Sequence, residues 1–133
     1  MKVVAFNGSP RREGNTALLL KTVLAELEKH DIDTETVSLA GETIQGCTAC
    51  YQCFKTKDQR CIIDDVVNDC IEKMHGADGV ILASPTYFAN VSPEIKALID
   101  RAGMVALAND AMLHRKIGAA VVAVRRAGAI HAF

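Results

Sequence analysis

The sequence predicts an α/β domain built on a parallel sheet. Three apolar runs, Met1 to Phe6, Gly79 to Ser84 and Ile117 to Val124, carry little or no polar alternation, as expected of strands covered on both faces. Stretches with helical spacing of apolar residues lie between them, which is the alternation produced by right-handed strand–helix–strand crossovers. At 133 residues, 50% hydrophobic and 23% charged, the chain has material for one core, so residues 1–133 are expected to form one domain.

The elements follow in order. Met1 to Phe6 ends at the turn residues Asn7-Gly8-Ser9-Pro10 and reads as a buried first strand. From Thr16 to about His30, Ala17, Leu20, Leu24 and Leu27 recur at three- and four-residue steps, giving a helix with one buried face. Ile32 to Leu39 is more polar and partly alternating, which fits a second strand at a sheet edge. Residues 40–63 form a cysteine-rich loop. Asp64 and Asp65 then open a second helix whose Val66, Val67, Cys70, Ile71 and Met74 share a face, and Gly76 closes it. Gly79 to Ser84 is the third strand, halted by Pro85. Ser92-Pro93-Glu94 supplies a cap, a proline at the first helical position and an early acid for a third helix through about Met104. Ile117 to Val124 is a fourth strand expected to be covered on both faces. The chain ends nine residues later, so a C-terminal strand and helix are expected to be missing.

Charge and hydropathy narrow the function. With 15 basic and 16 acidic residues the net charge is −1, which argues against nucleic acid as a partner. The Ile117–Val124 run falls far short of the roughly 20 residues needed to cross a bilayer. The N-terminal apolar stretch is too short for a signal peptide, so a cytoplasmic location is the default expectation.

The segment richest in chemistry is Gly8-Ser9-Pro10-Arg11-Arg12-Glu13-Gly14-Asn15-Thr16. It lies where a parallel strand ends and a helix begins, so unpaired amides and the positive end of the helix dipole meet there. Gly8 and Gly14 are expected to provide positive φ and close backbone approach, while Ser9, Asn15 and Thr16 offer side-chain donors and Arg11 a charge. No lysine follows Gly14, which excludes a Walker loop, and no glycine stands two residues after Gly8, which excludes the dinucleotide pattern. A monophosphate fits best. The plainer alternative is a turn in which Asn15 or Thr16 merely caps the helix.

This G-S-P-R-x-x-G-N-T segment after a short N-terminal strand resembles the NAD(P)H-dependent FMN reductase and iron-sulfur flavoprotein families of the flavodoxin-like superfamily. The resemblance runs from Met1 to the end of the chain. It implies a doubly wound sheet of order 2-1-3-4-5 and an FMN phosphate held by Ser9, Arg11, Asn15 and Thr16. In that strand order the switch point, where ligands bind, lies between strands one and three. The loop after strand three, Ser84-Pro85-Thr86-Tyr87-Phe88-Ala89-Asn90, borders that crevice and spends two of the chain's six aromatics there. The family has a similar segment against the isoalloxazine ring, so Pro85, Thr86, Tyr87, Phe88 and Asn90 are candidate flavin contacts; the alternative is that Tyr87 and Phe88 are local core. After strand four, Arg126 and Gly128 could place a cation and flexible backbone beside the ring, or Arg125-Arg126 could be a solvated pair.

Cys47, Cys50, Cys53 and Cys61 are spaced C-x2-C-x2-C-x7-C, with the small residues Thr48 and Ala49 inside the motif. Three close thiols and one more distant resemble ferredoxin-type ligation of a [4Fe–4S] cluster, although the bacterial ferredoxin run has x3 and a following proline. The spacing is similar to the compact cysteine motif of iron-sulfur flavoproteins. Four-thiolate zinc and an unloaded set of thiols stand as alternatives. Tyr51, Lys55 and Lys57 mark the loop as exposed, Cys70 reads as core, and His30, His75, His114 and His131 show no ligand spacing.

The leading expectation is an FMN-dependent oxidoreductase of the iron-sulfur flavoprotein type. It would pass electrons between a reduced donor, NAD(P)H or ferredoxin, the flavin and a cluster. No general acid, base or nucleophile is assigned, because the flavin carries the chemistry. The rivals are an NAD(P)H-dependent FMN or quinone reductase without a cluster, a flavodoxin-like electron carrier, and a zinc-stabilised binding module. Small molecules or proteins are expected as electron partners. The resemblance implies a homodimer or homotetramer, in which a neighbouring subunit could bring flavin and cluster together.

Overall fold

Strand and helix alternate in the computed structural model, which describes Met1–Phe133, much as the apolar pattern predicts. The strands are β1 (Lys2–Asn7), β2 (Asp33–Ser38), β3 (Gly79–Pro85) and β4 (Ile117–Ala123). The helices are α1 (Asn15–Glu28), α2 (Gln52–Thr56), α3 (Val66–Gly76), α4 (Pro93–Ala108) and α5 (Ala129–Ala132). All strand pairs are parallel, in the order β2-β1-β3-β4. That is the flavodoxin-like order over the four strands present.

The two faces of β1 explain the layering. Side chains alternate across a strand, so Val3 and Ala5 face one way and Val4 and Phe6 the other. Val3 and Ala5 join Leu20 and Leu24 of α1 and Ile81 and Ala83 of β3 in one core. Val4 and Phe6 join a larger core with Val67, Cys70, Ile71 and Met74 of α3 and Ile95, Leu98, Ala102 and Val105 of α4. Cys70 is fully buried there, as its helical position predicts.

Four expectations are corrected. Ile117 to Ala120 of β4 are exposed and Val121 to Ala123 only half-buried, so this strand is not covered on both faces. As the sheet's edge it has a strand partner only in β3, and Ile117 remains 61% exposed. The third predicted helix, α4, runs four residues past Met104 to Ala108, because no breaker intervenes before Asn109. Residues 40–63 are not loop throughout, since α2 forms within them. Gly8 and Gly14 do not adopt positive φ, which among glycines occurs at Gly41 and Gly128. Gly8 is instead required by close approach: a Cβ there would stand 2.1 Å from Ile95 Cγ1 and 2.8 Å from Ser92 Oγ.

Candidate functional site

The parallel sheet sends the ends of β1, β2, β3 and β4 to a single edge, and the segments that follow them carry every candidate residue. The Gly8–Thr16 loop is pinned at its base by Gly8, whose amide donates to Ala83 O of β3 at 2.8 Å. Ser9 then turns inward. Its amide donates to Asn7 Oδ1 and its Oγ accepts from the Arg11 amide.

α1 begins without a side-chain cap. Its N-cap is Gly14, so Asn15 and Thr16 do not play the capping role of the plainer alternative. The amides of Asn15, Thr16 and Ala17 find no acceptor within the chain. Ser9 and Thr16 are buried at 5% and 2% exposure, whereas Arg11 and Asn15 are exposed around the rim. Three unpaired amides, two buried hydroxyls and a positive helix end form an anion cradle.

The loop after β3 comes against the same corner, because the Ser92 amide donates to Ser84 Oγ while Ser92 Oγ caps α4 by accepting from the Ile95 amide. Tyr87 and Asn90 close a tight turn through reciprocal backbone bonds of 2.8 and 3.0 Å. Phe88 and Ala89 sit at its tip at φ 46° and 62°, and the Phe88 side chain is fully exposed. Tyr87 is 44% exposed, so neither aromatic is local core. A phenylalanine held in left-handed backbone with its ring in solvent is a strained position without a packing benefit.

The segment after β4 meets this turn. Gly128, at φ 94°, packs so closely that a Cβ would stand 2.9 Å from Ala89 Cα and 3.0 Å from Thr86 Cγ2. A shallow depression between the two segments is lined by Thr86, Phe88, Val124, Arg125 and Arg126. Thr86 Oγ1 is buried there without a hydrogen-bond partner. An unsatisfied buried hydroxyl costs stability unless a ligand meets it. Thr86, Phe88 and Arg126 are thus brought together, and Pro85 ends β3 beside them. The cradle and this depression lie on the same edge of the sheet.

The cysteines form a separate pocket. Cys47 and Cys50 are exposed, Cys53 sits in α2 and Cys61 just before α3, both half-buried. All four line one pocket together with Arg101 and Met104 of α4. No three of them converge closely enough to hold a single ion. The surrounding backbone is tightly turned, with Ala49, Tyr51, Lys57 and Gln59 all at positive φ. The Gln52 amide holds the Cys50 thiol below its ordinary range, while burial pushes Cys53 up.

Three residues beneath this pocket were not singled out as site residues by the sequence reasoning. Arg101 is 1% exposed, although the positions around it, Leu98, Ala102 and Val105, face the core. An arginine in the apolar stripe of a helix is the signal that could have found it. Its guanidinium donates to Asp65 Oδ2 at 2.5 Å, Ile63 O at 2.7 Å, Gln45 O at 3.2 Å and Cys61 Sγ at 3.3 Å. Asp65, read from the sequence only as a helix-start charge, also caps α3. Burial works to raise its carboxyl, but the Arg101 bond, the Val67 amide and the Arg101 charge outweigh burial and hold it below the usual range. Asn68 is 2% exposed; its side chain accepts from the Cys61 amide and donates to Cys61 O and Ile63 O.

Comparison with known proteins places this geometry among relatives. An iron-sulfur flavoprotein of Methanocaldococcus jannaschii is 40% identical over 121 residues, spanning 91% of this chain and 61% of the relative. One from Methanosarcina thermophila is 37% identical over 122 residues, 91% of this chain and 62% of the relative. The chain therefore spans about six tenths of the length of these curated relatives. Among solved structures, an NAD(P)H:quinone oxidoreductase from Methanothermobacter marburgensis superposes with a TM-score of 0.68 at 18% identity, covering 93% of this chain and 63% of that one. At that identity the likeness is one of fold. The family model described as NADPH-dependent FMN reductase matches residues 1–132, taking in the anion cradle, both loops beside it and the cysteine segment, and the chain belongs to that family.

Proposed function

We propose that this protein is an FMN-dependent oxidoreductase of the iron-sulfur flavoprotein type, with FMN at the edge shared by β1, β3 and β4 and a [4Fe–4S] cluster at Cys47, Cys50, Cys53 and Cys61. The observation that carries the flavin reading is the cradle at the start of α1: three amides without acceptors beside the buried hydroxyls of Ser9 and Thr16. Amides and hydroxyls there bind the phosphate as donors, and exposed Arg11 adds a charge-assisted pair from the rim. Pro85, Thr86, Tyr87, Phe88 and Asn90 orient the ring, with Thr86 Oγ1 supplying a hydrogen bond it does not otherwise make. Arg126 and Gly128 close the other side. Bound FMN accepts hydride or single electrons at its ring, which is the redox chemistry the protein itself lacks.

The four thiols ringing one pocket support the cluster reading, as do the names of the curated relatives. A cluster held there exchanges single electrons. NAD(P)H or a ferredoxin-type protein is the proposed donor, and the protein is proposed to act as a homodimer or homotetramer.

Protein purified without oxygen is expected to show flavin absorption and about four irons per FMN, the composition of one cubane. Flavin with no iron overturns the cluster and leaves the reductase; absence of both overturns the whole reading. Steady-state NADPH oxidation with a quinone or ferricyanide tests the enzyme against a simple electron carrier. No turnover with either acceptor refutes the enzyme.

A further inference from the structure

Of the four pocket cysteines, Cys61 alone is held by buried polar groups on both its backbone and its sulfur. Asn68 grips the Cys61 peptide through an accepted bond of 2.8 Å and a donated one of 3.0 Å. Arg101 reaches the sulfur itself at 3.3 Å, while its remaining donors fasten Gln45 O and Ile63 O, which flank the cysteine segment on either side. Asp65, at 15% side-chain exposure, anchors the guanidinium, whose own exposure is zero. By contrast Cys47 and Cys50 are exposed, and the Cys53 sulfur has only a long 3.8 Å contact to Met104 O.

We propose that Arg101, anchored by Asp65, is the positioning residue of the cysteine site: it fixes Cys61 as the preformed ligand and favours the reduced state of the group bound there. The proposal rests on the cluster reading above. A guanidinium with five donors in a rigid fork can serve one sulfur and three oxygens at once, which an ammonium with three donors cannot. Reduction adds one electron and one negative charge to the bound group. Arg101 is cationic before and after, so no proton need follow, and a fixed cation donating to a ligating sulfur stabilises the more negative state. Arg101 therefore raises the reduction potential.

The test uses the full chain reconstituted with ferrous iron and sulfide, titrated with dithionite without oxygen, with Arg101→Met/Asp65→Asn and Arg101→Lys as variants. The double variant removes the cation without stranding its partner. Its equilibrium constant for one-electron reduction is expected to fall at least tenfold, which for one electron is about 59 mV. Arg101→Lys is expected to recover most of that potential, because the charge is kept. Its Cys61 amide is nonetheless expected to exchange hydrogen at least tenfold faster in metal-free protein, because the fork is lost. An iron-loaded double variant whose potential matches wild type overturns the tuning role. Unchanged exchange in Arg101→Lys overturns the positioning role, and carries the test alone where the double variant does not fold. Wild-type protein that takes up no iron overturns the cluster reading and the tuning role with it, while the exchange measurement still decides whether Arg101 positions Cys61.

Discussion

Replacing Gly8 with alanine tests how the fold builds the phosphate cradle. The added methyl would stand 2.1 Å from Ile95 Cγ1 and 2.8 Å from Ser92 Oγ. Carbon atoms in contact prefer about 3.5–4.0 Å, so Ile95 would have to retreat by roughly 1.5 Å. It has nowhere to go, being 1% exposed within the core shared by α3 and α4. Overpacking of this kind costs about 1–3 kcal/mol. Displacing Ser92 from the Ile95 amide adds a lost cap of about 1 kcal/mol. The sum, about 2–4 kcal/mol, lowers the melting midpoint by roughly 8–16 °C at about 4 °C per kcal/mol for a chain this size. Gly103→Ala is the control, since a Cβ there meets nothing within 4 Å in the middle of α4. It should stabilise by about 0.5–1 kcal/mol through helix propensity. Thermal and urea denaturation of both variants decide the matter. A Gly8→Ala midpoint equal to wild type would refute the claim that the β1–α4 contact positions the loop.

Three further outcomes are expected. Thr16→Val keeps the buried shape and removes the hydroxyl, and Asn15→Ala removes the exposed amide; each should weaken FMN binding by about 1.5–3 kcal/mol, roughly 10- to 150-fold, in a fluorescence titration. Asp65→Ala strands the buried Arg101 cation and should cost about 3–5 kcal/mol in urea unfolding. Because the folded Asp65 carboxyl lies below its unfolded value near 3.9, its contribution is complete above about pH 4 and is lost as pH falls through the folded value. The variant should therefore lose less stability than wild type on acidification below that point, and equal slopes would count against the ion pair. Burial pushes the Cys70 thiol up to about 12. At pH 8 its thiolate fraction is about one part in 10⁴, so iodoacetamide should label Cys47 and Cys50 in native protein and Cys70 only after unfolding.

What the sequence disclosed follows from how each residue's role is encoded. β1 and β3 were readable because both faces are buried and no polar residue breaks the run. The start of α4 was readable because Ser92 and Pro93 form a local signal, and the structure has that cap. α2 was missed because five residues are too few to show a period. β4 was readable as a strand from its unbroken apolar run, and Ile117–Ala120 are exposed where it forms the sheet edge. The cysteines were visible by type and spacing, whereas Arg101 was not, because its value lies in partners 36 to 56 residues away. Of the two properties the sequence suggests for Gly8, the structure uses close approach and not positive φ.

The same helix ties the two candidate sites together. β2 lies at the sheet edge beyond β1, on the side away from β3 and β4. The cysteine segment that follows it crosses to α4, where the Cys53 sulfur meets Met104 O and the Gln59 amide donates to Asn109 Oδ1. Ile95, at the other end of α4, packs beneath Gly8. At 1.5 Å per residue, Ile95 and Arg101 are separated by about 9 Å along the axis, and Ile95 and Met104 by about 14 Å. One rigid element within one chain therefore sets the distance between cradle and cysteine pocket. Leu98→Ala truncates a side chain at 0% exposure midway along it, and Leu24→Ala truncates one at 7% on α1 against the opposite face. Each should cost about 2–5 kcal/mol. If α4 couples the sites, the first lowers both FMN and iron retention, whereas the second lowers FMN retention and leaves iron content unchanged. Equal iron content in both variants would show that the cysteine pocket keeps its shape independently of α4.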